Sequence, residues 1–150
     1  MNIAAIMMNN ITNRRKLGEL GEALFCLLEK CERSDDPFDS VKDAIDQNGK
    51  NVEIKTQARY ASKNLFTIRS DKATNLNKCM TVDRLIFIEF DQTDTIGVFE
   101  CVKRQDYTKY TTSNGTPMLG WPIDKMLKLH TIKDKRLVEW MRSLSTSKYY

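Results

Sequence analysis

Apolar residues recur along three segments of the chain with the period of an amphipathic helix. In "NRRKLGELGEALFCLLEKCE" (13–32), the leucines are spaced so that they share one helix face. "DKATNLNKCMT" (71–81) has a weaker pattern, with Asp71 as the candidate N-cap. A last helix is predicted over 134–144, where apolar residues again share a face.

Runs rich in β-branched and aromatic residues predict strands between these helices. "VDRLIFIEF" (82–90) is the most apolar run and suits a central strand, and "DTIGVFECVK" (94–103) pairs with it across a short turn. Earlier in the chain, "SVKDAID" (40–46) and "NVEIKTQ" (51–57) are predicted to form a hairpin, and "NLFTIRS" (64–70) a third strand.

The apolar residues of the segment 104–123 follow neither the helix period nor the strand period. The segment is predicted to be irregular, because Asn114-Gly115 and two prolines mark turns. The resulting order is helix, three strands, helix, two strands, irregular segment and helix. This is a mixed α/β arrangement with segregated hairpins, which gives it α+β character. No internal repeat or low-complexity linker interrupts the chain, so one domain over 1–150 is expected.

Composition adds little to this picture. The chain has 150 residues, 41% hydrophobic and 29% charged, as in ordinary globular proteins. Its net charge of +4 fits an anionic partner such as nucleic acid without requiring one. No run approaches the ~18 apolar residues of a membrane span, and the N-terminus does not resemble a signal peptide. The four cysteines have no CxxC spacing, so reduced thiols in a cytoplasmic protein are expected.

The hairpin at 40–57 carries the candidate chemistry. If its loop has three residues, with Gly49 in the left-handed conformation, Asp43 lies opposite Glu53. Lys55 then shares their face, because side chains alternate along a strand. A two-residue Asn-Gly turn would instead place Ala44 opposite Glu53 and send Asp43 to the other face.

Facing carboxylates repel each other unless a cation lies between them. Two oxygen donors with open positions around them suit Mg²⁺, which keeps several waters and accepts phosphate oxygens as further ligands. A lysine beside them can act on an attacking water or stabilise charge on phosphorus. The same residues also occur on ordinary solvated sheet faces, so hairpin chemistry alone leaves both readings open.

Asp43 followed by Glu-x-Lys at 53–55, on a hairpin after a helix, resembles the PD-(D/E)xK nuclease superfamily. The resemblance extends in element order over about 17–100. It implies a restriction-endonuclease-like αβββαβ core with a central mixed sheet flanked by helices. It also implies cleavage of DNA that depends on Mg²⁺, for which Mn²⁺ can substitute.

The resemblance also assigns roles to individual residues. Asp43 and Glu53 would hold the metal and Lys55 would position or activate the water. Members of the superfamily often add an acidic residue from the first helix, for which Glu22 is the best match and Glu19 the second.

Asp39 is an alternative first carboxylate, because no Pro-Asp dipeptide precedes the strand. In the three-residue-loop register Asp39 faces Gln57, which can hold a water or a phosphate, or can be an ordinary polar strand residue. Basic residues after the motif either track a DNA backbone or form a solvated basic face. They are Arg59, Lys63, Arg69, Lys72 and Lys78.

The function expected from these residues is a DNA endonuclease acting on branched or foreign DNA in recombination, restriction or viral DNA processing. Cutting both strands requires two sites, which would favour a homodimer. The alternative is a catalytically silent nucleic-acid-binding domain that retains the nuclease fold. A structural domain with a coincidentally acidic hairpin is the third reading.

Overall fold

The computed structural model describes residues 3–10, 17–36, 39–58, 64–91 and 93–145. The helices in these ranges are α1 (Ile3–Asn10), α2 (Leu17–Glu29), α3 (Ala73–Thr81) and α4 (Lys135–Ser145), with a 3-10 turn at Ile123–Lys125. The strands are β1 (Glu32–Arg33), β2 (Ala44–Ile45), β3 (Asn51–Ala58), β4 (Leu65–Arg69), β5 (Arg84–Phe90), β6 (Thr95–Cys101), β7 (Thr108–Thr111), β8 (Pro117–Pro122) and β9 (Leu127–Lys133). None of these helices is long and apolar enough to cross a membrane.

The central sheet of the described chain is mixed and has six strands, in the order β1-β2-β3-β5-β6-β9. Strands β3 and β5 are parallel, and the other neighbours are antiparallel. Helices α1, α2 and α4 cover one face through one apolar cluster. Helix α3 and a second sheet cover the other face through another cluster. The predicted fold class, a mixed α/β fold with a central mixed sheet flanked by helices, is confirmed.

Strand β5 is buried on both faces, which explains why its sequence is almost continuously apolar. Ile86 and Ile88 belong to the cluster under α2 and α4. Leu85 and Phe87 point to the opposite cluster, where the Phe87 ring stacks on Phe66 with centroids 4.8 Å apart. Strand β6 pairs with β5 along its length, as predicted.

The second sheet contains three of the described strands, in the order β4-β8-β7. Strand β4 is present as predicted, but it pairs with β8 rather than with the central sheet. The prediction that 104–123 is irregular is wrong, since β7 and β8 form a hairpin around Gly115, whose φ is +83°. The pattern missed them because β7 is polar and mostly exposed. Pro117 and Pro122 lie at the two ends of β8, where a missing N–H is tolerated.

Two further elements and one helix cap differ from the prediction. Helix α1 and the largely exposed strand β9 were not predicted. Asp71 does not cap α3, because its carboxylate pairs with the Arg69 guanidinium at 2.7 Å. The N-cap residue of α3 is Lys72, which makes no side-chain capping bond. A guanidinium is a stronger partner for a carboxylate than a helix-end amide, so the cap prediction fails.

Helix α2 approaches β3 most closely at Gly21. A Cβ atom at Gly21 would lie 1.8 Å from Thr56 Oγ1 and 3.0 Å from Thr56 Cβ. At Gly18, one turn earlier, a Cβ would meet nothing within 4 Å. Gly21 therefore sets the spacing that brings α2 against the strand carrying Glu53 and Lys55.

Gly21→Ala should destabilise the fold by about 1–3 kcal/mol, because the added methyl forces α2 away from the β-branched Thr56. Gly18→Ala, in the same helix, should stabilise it by about 1 kcal/mol, because alanine favours helix and the space is open. Urea denaturation of both variants measures the difference. Equal changes in the two variants would show that the close contact at Gly21 does not constrain the helix.

Candidate active site

The hairpin between β2 and β3 has the predicted three-residue loop. Gly49 adopts a φ of +76°, in the left-handed region. Ala44 lies opposite Val52, and Asp43, directly before β2, donates its N–H to the Val52 carbonyl at 2.8 Å. Its carboxyl thereby lies beside that of Glu53, with which it forms a hydrogen bond. The two-residue Asn-Gly turn is therefore excluded, and the carboxyl pair follows from the local turn geometry.

Asp43 and Glu53 form a largely buried carboxyl pair. Glu53 is 1% exposed, and Asp43 Oδ2 accepts a hydrogen bond from the Ile54 N–H at 2.8 Å. Burial and the hydrogen bond with Asp43 raise the pKa of Glu53. Burial also acts to raise the pKa of Asp43, but hydrogen bonds from Glu53, Lys78 and Ile54 outweigh it and lower that pKa. Asp43 is therefore the more acidic carboxyl of the pair, and Glu53 holds a proton more readily.

Two ammonium groups reach this pair from different elements. Lys55 Nζ lies 3.3 Å from Glu53 Oε2 and donates a hydrogen bond to Asn75 Oδ1 at 2.6 Å. Lys78 Nζ lies 2.6 Å from Asp43 Oδ1 and 3.4 Å from Glu53 Oε1. Each ammonium thus contacts a different oxygen of Glu53.

Helix α3 supplies two of the groups in this site. Asn75 and Lys78 are three residues apart and so share one helix face. The next residue, Cys79, is fully buried, and its carbonyl accepts a hydrogen bond from the Arg104 guanidinium at 3.2 Å. Lys78 was predicted only as a basic residue near the motif, and Asn75 was not predicted. Their shared helix face was the available signal.

Glu22, from α2, lies on the wall of the same cleft, whereas Glu19 is not part of that wall. Burial and the nearby charge of Asp43 raise the pKa of Glu22 to about 7, against the opposing effect of Arg33. Glu22 Oε1 pairs with Arg33 at 3.5 Å. The structure thus places the predicted helix glutamate on the wall of the cleft that holds the carboxyl pair, with Arg33 as its ion-pair partner.

The cleft around these residues has a volume of about 480 Å³ and lies between α2, β3 and α3. A second cleft of about 380 Å³ adjoins it between β3, β4 and α3. Lys55, Lys72 and Asn75 line both. The carboxyl pair therefore opens onto a continuous groove whose margin is basic.

Two of the predicted DNA-binding residues lie on this groove. Lys72 is exposed and lines both clefts. Arg69 lines the second cleft, and its guanidinium pairs with Asp71. Arg59 and Lys63 lie outside the described residues.

Asp39 also lines the main cleft, but its carboxylate is bound locally. Asp39 Oδ2 accepts a hydrogen bond from Ser34 Oγ at 2.7 Å, and Oδ1 accepts one from the Val41 N–H at 2.8 Å. These hydrogen bonds hold the pKa of Asp39 well below its usual range. They also form a turn, so β2 begins only at Ala44. The prediction that Asp39 faces Gln57 is therefore wrong, and Asp43 is the carboxylate beside Glu53.

Gln57 joins the two sheets. Its Nε2 donates a hydrogen bond to the Leu65 carbonyl at 3.0 Å, and its Oε1 accepts one from the Thr67 N–H at 3.2 Å. Both partners are backbone groups of β4. The side-chain amide thus replaces a peptide group in linking β3 to β4.

The carboxyl pair fits a hydrated hard cation. Buried Glu53 Oε1 accepts no hydrogen bond in the described structure, although the Lys78 ammonium lies 3.4 Å from it. Mg²⁺ is commonly bound through one or two carboxylates and keeps several waters. Among the described residues no three His, Cys, Asp or Glu side chains are grouped to hold a metal. Asp43 and Glu53 are the two carboxylates available to such an ion, with Glu22 further along the wall of the cleft.

Comparison with known proteins adds no assignment. The chain matches no protein-family profile and no curated protein. Any function must therefore be inferred from the residues of the site.

Glu22→Gln should stabilise the metal-free protein at pH 8 by roughly 2 kcal/mol and leave it nearly unchanged at pH 4. The raised pKa of Glu22, about 7 against 4.5, means that the folded state retains a proton that the unfolded chain has already lost. The free energy of unfolding of the wild type therefore falls as pH rises through that window. The side chain is 24% exposed, so solvent reduces the effect below its full value.

Urea denaturation in EDTA between pH 4 and pH 8 measures this dependence, with Glu19→Gln in the same helix as the control. A Glu22→Gln effect that is the same at both pH values would contradict the buried-carboxyl explanation.

Proposed function

We propose that the protein is a divalent-metal-dependent DNA endonuclease that hydrolyses phosphodiester bonds. The observation that carries this proposal is the buried pair of Asp43 and Glu53 with Lys55 beside it, open to a basic groove. The resemblance of Asp43 and Glu-x-Lys to the PD-(D/E)xK nuclease superfamily points to DNA as the substrate. The net charge of +4 is consistent with a polyanion.

Asp43 and Glu53 would hold Mg²⁺, or Mn²⁺ in its place, and Glu22 is the candidate for a further ligand. A bound ion would supply Lewis acidity at a phosphate oxygen and a lower pKa for a bound water. Burial of Glu53 and its contacts with Lys55 and Lys78 restrict the movement of its carboxyl. The two carboxyls thereby define where the scissile phosphate lies in the cleft.

Lys55 would act on the phosphate directly. An ammonium has three N–H donors, and here Asn75 and Glu53 engage two of them. The remaining donor is available to a non-bridging phosphate oxygen, where charge increases in the transition state. Asn75 is then a positioning residue, because its amide oxygen fixes the Lys55 side chain over Glu53.

The groove supplies the rest of the substrate contact. Lys72 and Arg69 lie where flanking phosphates of a DNA strand would pass. We place the protein in a reducing cytoplasm, since the cysteines of the described chain are free thiols. Cleavage of both strands, or resolution of branched DNA, would use a homodimer with two such sites.

A second function, nucleic-acid binding without catalysis, is favoured by one observation. Lys78 already pairs with both carboxylates, so the acidic pair has a cation without any metal. In that case the groove would hold DNA and no bond would be cleaved.

Incubation with linear, nicked, branched and single-stranded DNA, with and without Mg²⁺ or Mn²⁺, separates the two functions. Metal-dependent products support the endonuclease and identify the preferred DNA structure. A gel shift that is independent of metal, with no products, supports the binding domain. If the DNA is neither cleaved nor shifted, both proposed functions are contradicted.

Glu53→Gln and Lys55→Ala should each lower the cleavage rate by about a hundredfold or more, because the first removes a metal-binding carboxylate and the second a donor to the reacting phosphate. Folding and DNA affinity should change little, since glutamine has the shape of a protonated Glu53 and Lys55 is near the surface. Single-turnover cleavage, circular dichroism and DNA binding measure the three properties.

Glu139→Gln and Lys133→Ala, at exposed positions on α4 and β9, are matched controls for the loss of one carboxylate and one ammonium. Wild-type cleavage rates in either Glu53→Gln or Lys55→Ala would overturn the assignment of the site.

A further inference from the structure

Lys78 is the one basic residue of the described site whose ammonium lies between the two acidic groups. Its Nζ is 2.6 Å from Asp43 Oδ1 and 3.4 Å from Glu53 Oε1. The exposed fractions of the Lys78, Asp43 and Glu53 side chains are 13%, 14% and 2%. Because water screens the three groups poorly, this contact is much stronger than a surface salt bridge.

The remaining carboxylate oxygens have other partners. Asp43 Oδ2 accepts the Ile54 N–H. Glu53 Oε2 lies 3.3 Å from Lys55 Nζ, and the Cys79 thiol donates to it at 3.8 Å. Asp43 Oδ1 and Glu53 Oε1 are the two oxygens in contact with the Lys78 ammonium, and the two carboxyls also share a hydrogen bond. These are the two oxygens that a cation bridging the pair would use.

An ammonium and a divalent ion cannot occupy this position together. Mg²⁺ binds oxygen at about 2.0–2.1 Å, and two cations in contact with the same oxygens repel each other strongly in a poorly screened site. Binding of a metal between the carboxylates therefore requires Lys78 to leave them.

We propose that Lys78 is an internal cation that holds Asp43 and Glu53 together until a divalent metal displaces it, and that it thereby sets the metal concentration at which the site is loaded. The inference rests on the proposed function, because it concerns the metal ligands of that site. It explains how two adjacent acidic groups remain in place in the metal-free protein.

The side chain can make this movement without a change of fold. The backbone of α3 is held by buried Cys79 and by the hydrogen bond from Arg104 to its carbonyl. Lys78 lines the main cleft, and its flexible four-carbon stem can turn the ammonium into that cleft. There it would face the phosphate that enters with the substrate, so the displaced charge stays near the reaction.

Calorimetric titration of the metal-free full chain with Mn²⁺, in the absence of DNA, tests the competition. Lys78→Met keeps the length of the side chain and removes its charge, so Mn²⁺ should bind about tenfold more tightly or better. Lys72→Met removes a charge from the same cleft and should change the affinity by less than about threefold. Unchanged or weaker Mn²⁺ binding in Lys78→Met would overturn the inference.

A second measurement uses the wild-type protein and does not depend on whether Lys78→Met folds. Acetylation by acetic anhydride, read by peptide mass spectrometry, should modify Lys78 several times faster when Mn²⁺ is added, because the ammonium leaves its partners. Exposed Lys72 should be modified at the same rate with and without the ion. A Lys78 rate that does not rise with Mn²⁺ contradicts displacement.

The outcomes separate this inference from the proposed function. Metal-dependent DNA cleavage with no change in Mn²⁺ affinity in Lys78→Met would overturn the role of Lys78 and leave the nuclease proposal intact. Tighter Mn²⁺ binding in that variant, with no cleavage of any DNA, would support the role of Lys78 and overturn the nuclease. Absence of Mn²⁺ binding in both proteins would overturn both.

Discussion

Two acidic side chains placed side by side out of water require positive charge near them, and much of the structure around Asp43 and Glu53 meets that requirement. Lys55 comes from the same strand as Glu53, and Lys78 comes from α3. The backbone N–H of Ile54 adds a further donor. Each group comes from an element that is fixed by the core and not by the acidic pair itself. The site is therefore a consequence of the fold, which places two lysine ammonium groups beside the two carboxylates that the hairpin brings together.

The parallel pairing of β3 and β5 explains how α3 reaches the site. Parallel neighbours cannot be joined by a tight turn and need a crossover connection. Here the crossover runs through β4 and α3, and it passes over the open side of β3. Asn75 and Lys78 therefore arrive above the carboxyls because the chain must travel back to begin β5. The connection also contains β4, which belongs to the second sheet and lines one side of the groove.

Sequence alone predicted the parts of this arrangement that depend on local geometry. The left-handed conformation of Gly49 determines the hairpin register, so the pairing of Asp43 with Glu53 could be counted from one turn. The contact between Lys78 and Asp43 joins residues 35 apart, and it depends on packing that no local pattern expresses. The position of Asp39 was missed for a related reason, because side-chain hydrogen bonds to its own turn displaced the expected strand. Strand β7 was missed because exposed polar strands have no apolar alternation.

The hydrogen bonds from the Gln57 side chain to the β4 backbone determine how the two sheets meet. A backbone ladder holds two strands at a fixed spacing through many hydrogen bonds, whereas β3 and β4 are linked by one side-chain amide that bonds Leu65 and Thr67. Gln57 therefore aligns β4 with β3 through two polar contacts, while the separation of the two sheets is set by apolar packing such as that of Phe66 on Phe87. The groove between Lys55 and Arg69 follows this seam, so the side chains on its two sides belong to different sheets.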